Sequence, residues 1–140
     1  MVISKQYLAG FFDGEGSMRL RSGFSRRSPL SIRVELKVTN TNLSILQAIQ
    51  NEYGGKIRIK RNPSRPCYTL YWSNIGNIKP ILLLLVPYLI VKKPHAMLLL
   101  EYLKHRGGPK KIRLSERDRA VFDELRAINA GARVAIKRAA

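Results

Sequence analysis

Four stretches of the chain alternate between apolar and polar residues, which is the pattern of a β-strand with one buried face. The longest covers residues 30–39, where apolar side chains occupy every second position and polar or charged ones the positions between. The same alternation recurs near residues 17–22, 56–61 and 67–73. The pattern predicts four strands in two pairs, with the charged and polar side chains of each strand turned away from the core.

Apolar residues at helical spacing lie before, between and after these two pairs of strands. Ser4 can cap a first helix over about residues 5–14, and Thr41 or Asn42 can cap a second. The order begins as helix, two strands, helix, two strands, and no linker separates the two similar halves. This order predicts an α+β fold in a single domain.

Proline and serine mark the boundaries of three further helices. Pro80 is predicted to lie in the first turn of a very apolar third helix, which Pro87 ends, and Pro94 opens a fourth. Ser115 and Asp118 have the spacing of a capping box at the start of a fifth helix. The chain is therefore predicted to end in helices packed on the sheet.

Composition narrows the class of protein. The 140 residues include 26 Lys and Arg but 9 Asp and Glu, a formal net charge of +17, with 45% hydrophobic residues. This balance excludes an acidic binding module and a disordered tail. A single cysteine excludes a disulfide framework, and two histidines are too few for a soft-ligand metal site.

The longest apolar run, residues 81–91, contains Pro87 and is too short to span a bilayer. No signal or transit peptide precedes it. We therefore expect no membrane partner, and we expect the protein in the cytoplasm of a prokaryote or in an organelle.

Much of the positive charge lies on the polar faces of the predicted strands. Like charges on neighbouring strands repel, so such a face is costly unless a polyanion covers it. For one strand alone a solvated sheet face is the simpler interpretation, but several such strands favour phosphate contact and base readout. We call the set of candidate nucleic-acid-contacting residues the cationic sheet face: Ser17, Arg19, Arg21, Ser31, Arg33, Glu35, Lys37, Thr39, Arg58, Lys60, Thr69, Tyr71 and Ser73.

The segment Leu8–Ser17, LAGFFDGEGS, carries the most specific chemistry. Gly10 and Gly14 are four residues apart in a predicted helix, and each costs about 1 kcal/mol relative to alanine there. That cost favours a helix face on which another helix packs closely.

Two carboxylates stand at the end of this helix. Asp13 and Glu15 lie where the helix dipole disfavours negative charge, next to a cationic sheet. Such a placement favours a divalent metal, and a carboxylate with a backbone carbonyl suits Mg²⁺. The simpler alternative is an acidic helix end paired with nearby arginines.

Leu8–Gly16 resembles the LAGLIDADG signature of homing endonucleases in its single-copy form. The match is leucine, alanine, glycine, two hydrophobic residues, an acid, glycine, a second acid and glycine. The order of elements also resembles the αββαββα core of that family, with a curved antiparallel DNA-binding sheet and extra C-terminal helices. The resemblance covers about residues 4–105 of the single domain 1–140, leaving a C-terminal helix and basic tail over 106–140.

The resemblance implies a site-specific homing endonuclease, intron-encoded, that cuts both strands of a long near-palindromic DNA target as a homodimer. Mg²⁺ is the implied cofactor, with Mn²⁺ or Ca²⁺ as substitutes and Ca²⁺ non-productive. Glu15 matches the family's metal-binding acid, and Gly14 is expected to lend its carbonyl. The motif helices of two protomers would pack together, and the residues expected in that dimer interface are Leu8, Ala9, Gly10, Phe12, Asp13 and Gly14.

Two further positions match catalytic sites of the family. By resemblance, Asn40 would order the attacking water and Lys92 would stabilise charge on the phosphate. The alternatives are a turn or N-cap residue for Asn40 and a solvated cation for Lys92. One departure is that a basic residue found early in the second helix of some members is absent here, since residues 43–47 carry no charge.

Three other functions fit part of the sequence. A maturase of the same fold would bind intron RNA, a non-cleaving descendant would regulate transcription from DNA, and a ribosomal protein would share the size and charge. Glu15 favours the nuclease, because a pure binder gains nothing from a metal-ligand carboxylate that faces phosphate. The nuclease also requires a dimer, whereas a ribosomal protein should be monomeric.

Overall fold

A computed structural model describes residues 2–25, 28–60, 64–105 and 116–139. The elements in this part of the chain are α1 (Lys5–Glu15), β1 (Gly16–Ser25), β2 (Ser28–Asn40), α2 (Leu43–Tyr53), β3 (Lys56–Lys60), β4 (Cys67–Trp72), α3 (Ile75–Leu85), α4 (Lys93–His105) and α5 (Glu116–Ala139).

The four strands form one antiparallel sheet in the order β1-β2-β4-β3. The predicted α+β class and the predicted order of elements are confirmed. β1 and β2 extend further than the alternation indicated, to a pairing of Ser25 with Ser28. β1 and β3 are the outer strands, so each has one edge without a strand neighbour in the described sheet.

Helices cover the apolar face of the sheet. Met18, Leu36, Leu70 and Trp72 from this face are at most 1% exposed, and they pack with residues of α1, α3 and α4 in one core. Fully burying a side chain of this size stabilises the fold by roughly 1.5–3 kcal/mol. The indole N–H of Trp72 donates to the Tyr53 carbonyl at 3.1 Å, which satisfies its polar atom inside the core.

Side-chain caps start the first two helices. Ser4 Oγ accepts from the backbone N–H of Tyr7 at 3.1 Å. Of the two caps considered for α2, Asn42 is the one used, because its Oδ1 accepts from the N–H of Ile45 at 3.2 Å. The helix then ends at Gly54, whose φ of 76° is a conformation that favours glycine.

The prediction for the start of α3 is wrong. Asn74 caps this helix by accepting from the N–H of Gly76 at 2.9 Å, so Pro80 lies in the helix interior and not in its first turn. The proline removes the hydrogen bond to the Gly76 carbonyl, but both residues are exposed, so water can replace that bond. Burial of Ile78 against the core accounts for the earlier start. Pro87 does follow the end of α3, as predicted.

The last two helices pack on the body of the protein. Ala96, Leu99 and Leu103 of α4 are buried, and so are Val121 and Leu125 of α5. The capping box at Ser115 and Asp118 lies outside the described residues and side chains. The basic tail expected after residue 105 is helical from Glu116 to Ala139. None of the described helices is both long and apolar enough to cross a membrane.

Candidate functional site

Strand pairing brings the residues of the cationic sheet face together. In an antiparallel sheet, residues directly opposite each other point to the same face. The pairs that place these residues side by side are Ser17 with Lys37, Arg19 with Glu35, Lys37 with Tyr71, Thr39 with Thr69 and Arg58 with Thr69. The alternation in the sequence therefore placed residues from all four strands on one common surface.

One further cation belongs to this surface. Lys56, the first residue of β3, pairs with Tyr71 and is exposed, so it belongs to the cationic sheet face. The alternation places it on the charged side of its strand with Arg58 and Lys60, although it is not among the candidate contacting residues named above. Ser73 is exposed one residue beyond β4. The backbones of Arg21 and Ser31 pair with Arg33 and Gly23, and their side chains lie outside the described part.

Positive charge dominates this surface. Among its described side chains Glu35 is the carboxylate, and its Oε1 lies 3.9 Å from the Lys37 ammonium. The cations are Arg19, Arg33, Lys37, Lys56, Arg58 and Lys60. The guanidinium of Arg58 lies 4.4 Å from the centre of the Tyr71 ring, a cation–π contact that orients both side chains. The surface is thus electrostatically suited to a polyanion.

Glu15 stands at the junction between α1 and this surface. It is the last residue of α1, it is exposed, and β1 begins at the next residue. A Cβ on Gly16 would lie 2.6 Å from the Phe12 carbonyl oxygen, so the close turn from helix into strand requires glycine. The glycine that follows the second acid of the motif therefore holds Glu15 at the edge of the sheet.

The donors at this junction fit a hard divalent cation. Glu15 directly follows Gly14, whose carbonyl belongs to the last helical turn and has no intrahelical donor. Oxygen donors of this kind are those that Mg²⁺ prefers. Within the described residues there is no group of three or more His, Cys, Asp or Glu. A cation bound here would complete its coordination with water, phosphate or a second chain.

Asp13 has a role inside the chain. Its Oδ2 accepts from the N–H of Ile90 and its Oδ1 from the N–H of Lys92, both at 2.9 Å. The Lys92 ammonium donates in turn to the Asp13 carbonyl at 3.3 Å. The carboxylate thereby fixes the segment before α4 against the end of α1. It holds Lys92, which is 79 residues further along the sequence, against the helical turn that also carries Glu15.

Asn40 lies at the same end of the sheet. Gly16 pairs with Val38, so Asn40 stands two residues beyond, beside the end of α1. Its Oδ1 accepts from the N–H of Asn42 at 2.8 Å, which is the turn role considered as the alternative. The role expected from the resemblance, ordering a water, would fall to its amide nitrogen.

Three of the residues expected in a dimer interface are buried within the single chain. Leu8, Ala9 and Phe12 have no exposed surface, because they face the sheet and form part of the chain's own core. Gly10 and Gly14 are exposed, and a Cβ at either position would meet nothing within 4 Å. We call the exposed side of α1 that carries Tyr7, Gly10 and Gly14 the α1 outer face.

Exposed apolar residues border the α1 outer face. Ile90 is 82% and Val91 63% exposed, in the segment that Asp13 ties to the end of α1. Tyr7 is 48% exposed and stacks on Phe11 with ring centres 6.0 Å apart. Exposed glycines and apolar side chains thus occur along the α1 outer face and in the segment tied to its end.

His95 is buried between α4 and α5. Its Nε2 lies 3.1 Å from Oδ1 of Asn129, and its Nδ1 has no partner among the described residues. Burial lowers the pKa of the imidazole, the Asn129 hydrogen bond raises it, and the charge of Lys92 lowers it further. Because Oδ1 can only accept, the neutral ring carries its proton on Nε2.

A comparison with family models matches residues 8–106 to the family described as LAGLIDADG endonuclease. The homing endonuclease I-CvuI, solved in complex with the I-CreI target and Mg, is 26% identical, with a TM-score of 0.64 over 86% of this chain and 93% of that one.

Two further solved structures share the fold. The group I intron-encoded homing endonuclease I-CeuI in complex with DNA is 19% identical, with a TM-score of 0.62 over 74% of this chain and 56% of that one. The archaeal intron-encoded I-Vdi141I in complex with DNA is 18% identical, with a TM-score of 0.57 over 90% and 96%. A comparison with curated protein sequences finds no match.

Proposed function

Since the chain belongs to the LAGLIDADG endonuclease family, we propose that it is an intron-encoded homing endonuclease that cuts both strands of a specific duplex as a homodimer with Mg²⁺. The observation that carries the proposal is the position of Glu15, exposed where the cationic sheet face meets Lys92.

The cationic sheet face would lie in the major groove. Lysines and arginines there neutralise phosphates and release counterions, which gives affinity for any duplex. Exposed arginines such as Arg33 can bond guanine through two hydrogen bonds, which adds specificity. The Glu35 carboxylate, whose Oε1 lies 3.9 Å from the Lys37 ammonium, has a second oxygen that could accept from a cytosine amino group.

Glu15 and the Gly14 carbonyl would hold Mg²⁺. When bound, the cation supplies Lewis-acid polarisation of the phosphodiester and neutralises developing charge. Residues of the chain itself position the phosphate, the water and the DNA strand. Lys92, held at the end of α1, places a positive charge beside the phosphate. The amide nitrogen of Asn40 orients a water, and the sheet positions the strand to be cut.

Support for the homodimer comes from the α1 outer face. Gly10 and Gly14 leave space that no residue of the chain's described part fills, and exposed Ile90 and Val91 extend the area. Packing two such faces about a two-fold axis uses one self-complementary patch twice. It also brings two Glu15 carboxylates together, and like charges at close range favour a bound cation.

The test is a selection of cut sites from a randomised, palindrome-biased duplex library with Mg²⁺. We expect the wild type to enrich cut inverted repeats and Glu15→Gln to bind the same duplexes without cutting them. Equal cutting by Glu15→Gln would contradict the role of Glu15. Tight binding without cutting by the wild type would favour the regulator or, if intron RNA binds better than duplex DNA, the maturase.

A further inference from the structure

A cleft of about 720 Å³ separates the outer edge of β1 from α5. Residues 16–20 of β1 form one wall, and Phe122 and Leu125 of α5 form the apolar part of the other. β1 pairs only with β2 in the described sheet, so its outer edge presents backbone N–H and C=O groups toward this space.

Positive charge collects around the cleft. Arg19 from β1, Lys92 from the segment before α4 and Arg126 from α5 all line it, and none of the lining residues among the described ones is acidic. Three cations that line the same cleft repel one another, and an anion between them relieves that repulsion. The chemistry of the cleft therefore selects an anion.

The cleft is continuous with the two parts of the candidate site. Ser17 and Arg19 line it and also belong to the cationic sheet face, where the Arg19 Nε–H donates to Ser17 Oγ at 3.2 Å. Lys92 lines it while its ammonium is bonded to the Asp13 carbonyl, one residue from Gly14. An anion bound here would lie between the cationic sheet face and the end of α1 that carries Glu15.

The α5 wall is preorganised to donate hydrogen bonds. Arg126 and Asn129 are three residues apart, so they share one side of the helix. Oδ1 of Asn129 is bonded to the buried His95. Its amide N–H groups are therefore the part of the side chain left for the cleft, next to the exposed guanidinium of Arg126.

We propose that Arg126 and Asn129 of α5, together with Lys92, bind a backbone phosphate of the DNA beside the cut. This inference rests on the proposed function, and it gives α5 a role in the DNA interface. α5 begins at Glu116, outside the residues 8–106 that the family model matches. A phosphodiester is the anion that the neighbouring cationic sheet face would bring to the cleft.

Arg126→Ala and Arg119→Ala form a matched pair of variants for the test. Both remove one exposed arginine from α5, but Arg119 does not line the cleft. Binding to a selected duplex is measured by titration at several salt concentrations, with every variant made in the Glu15→Gln background to prevent cutting. The melting temperature of each variant checks that the fold is unchanged.

We expect Arg126→Ala to weaken binding on the order of tenfold and to lower the slope of log Kd against log salt by about 0.9 for each phosphate that it no longer neutralises. Arg119→Ala should leave the affinity and the salt slope nearly as in the parent. Equal effects of the two substitutions would mean that only net charge matters and would overturn the proposal. Failure of the parent itself to bind any duplex would instead contradict the proposed function.

Neutral methylphosphonates, placed one at a time along the duplex, identify the phosphate concerned. At one position beside the cut, the neutral replacement should weaken binding of the parent and of Arg119→Ala. It should weaken binding of Arg126→Ala little further, because that variant has already lost the contact. Full sensitivity of Arg126→Ala at every position would overturn the proposal. A second result would also overturn the proposal: inorganic phosphate raises the melting temperature of the DNA-free parent at matched ionic strength, and Arg126→Ala abolishes that rise but leaves DNA binding intact. The cleft would then bind free phosphate and not a phosphate of the DNA.

Discussion

Asp13 shows how one side chain can hold a distant segment of the chain in place beside a candidate site. The motif gives it the appearance of a second acidic ligand beside Glu15, yet both its carboxylate oxygens accept backbone N–H groups of the segment before α4. A charged acceptor of this kind contributes about 1.5–3 kcal/mol per hydrogen bond. Its position makes Asp13 a positioning residue for Lys92.

Asp13→Asn should therefore slow cutting more than it weakens binding. The amide NH₂ cannot accept from Ile90 or Lys92, so one of the two bonds is lost and the Lys92 ammonium is displaced. We expect the single-turnover cleavage rate to fall on the order of tenfold, as for loss of about 1.4 kcal/mol of transition-state stabilisation, with Kd for the target changed by less than about threefold.

Glu52→Gln is the matched control for this substitution. Glu52 also accepts a backbone N–H, that of Ile3 at 2.7 Å, but it lies on α2 away from the motif. Glu52→Gln should lower the free energy of unfolding by about 1 kcal/mol and leave the cleavage rate unchanged. A rate equally reduced in both variants would mean that Asp13 acts only through stability.

Among the elements, α1 has two different sides. Leu8, Ala9 and Phe12 bury one side completely in the chain's own core, and Gly10 and Gly14 leave the other side open. Glycine inside a helix destabilises a monomer by roughly 1 kcal/mol relative to alanine, so its presence on an exposed side needs a reason beyond the fold of the single chain. A second α1 packed there would supply that reason.

Gly10→Leu should separate folding from dimerisation. The new side chain meets nothing within 4 Å in the chain itself, so we expect unchanged or higher helix stability but a dimer dissociation constant raised at least about tenfold. Sedimentation equilibrium measures the second quantity and far-UV circular dichroism the first. Lys5→Leu, exposed elsewhere on α1, is the control. A dimer of unchanged affinity would contradict packing through the α1 outer face.

At the scale of the whole molecule, the two sheets of the proposed dimer would contact two half-sites of one DNA target. In a symmetric dimer every contact of the cationic sheet face occurs once in each half-site, so the target is expected to be near-palindromic. In the proposed dimer the sheet of one chain would contribute the readout, and the pairing of two chains would set the spacing between the half-sites. Equal base preference in the two half-sites would therefore come from the dimer, and substitution of one exposed residue can test it.

Arg33→Ala should relax base preference at two symmetric positions, one in each half-site. A guanidinium that bonds guanine twice contributes about 1–3 kcal/mol of discrimination, and the variant loses it in both subunits. Cleavage rates on all single-base variants of the target measure the change, with exposed Lys79→Ala on α3 as the control. An unchanged profile would refute the base contact, and a change in one half-site alone would refute the symmetric dimer.

Features encoded by local spacing follow from the amino-acid sequence alone. The alternation along each strand predicted that Arg19, Lys37, Arg58 and Tyr71 share a face, because side chains of an extended backbone point to alternate sides. The cap at Ser4 was predictable for a similar reason, since its hydrogen bond spans three residues. The motif around Glu15 likewise lies within one contiguous segment.

Features that depend on which elements pack together required the tertiary structure. The burial of Leu8, Ala9 and Phe12, the bonds of Asp13 to a segment 77 and 79 residues away, and the cleft between β1 and α5 all arise from long-range packing. Even the start of α3 followed from burial of Ile78, against the local preference of Pro80. Periodicity fixes which side of an element is apolar, whereas the partner that covers each side is decided by the whole fold.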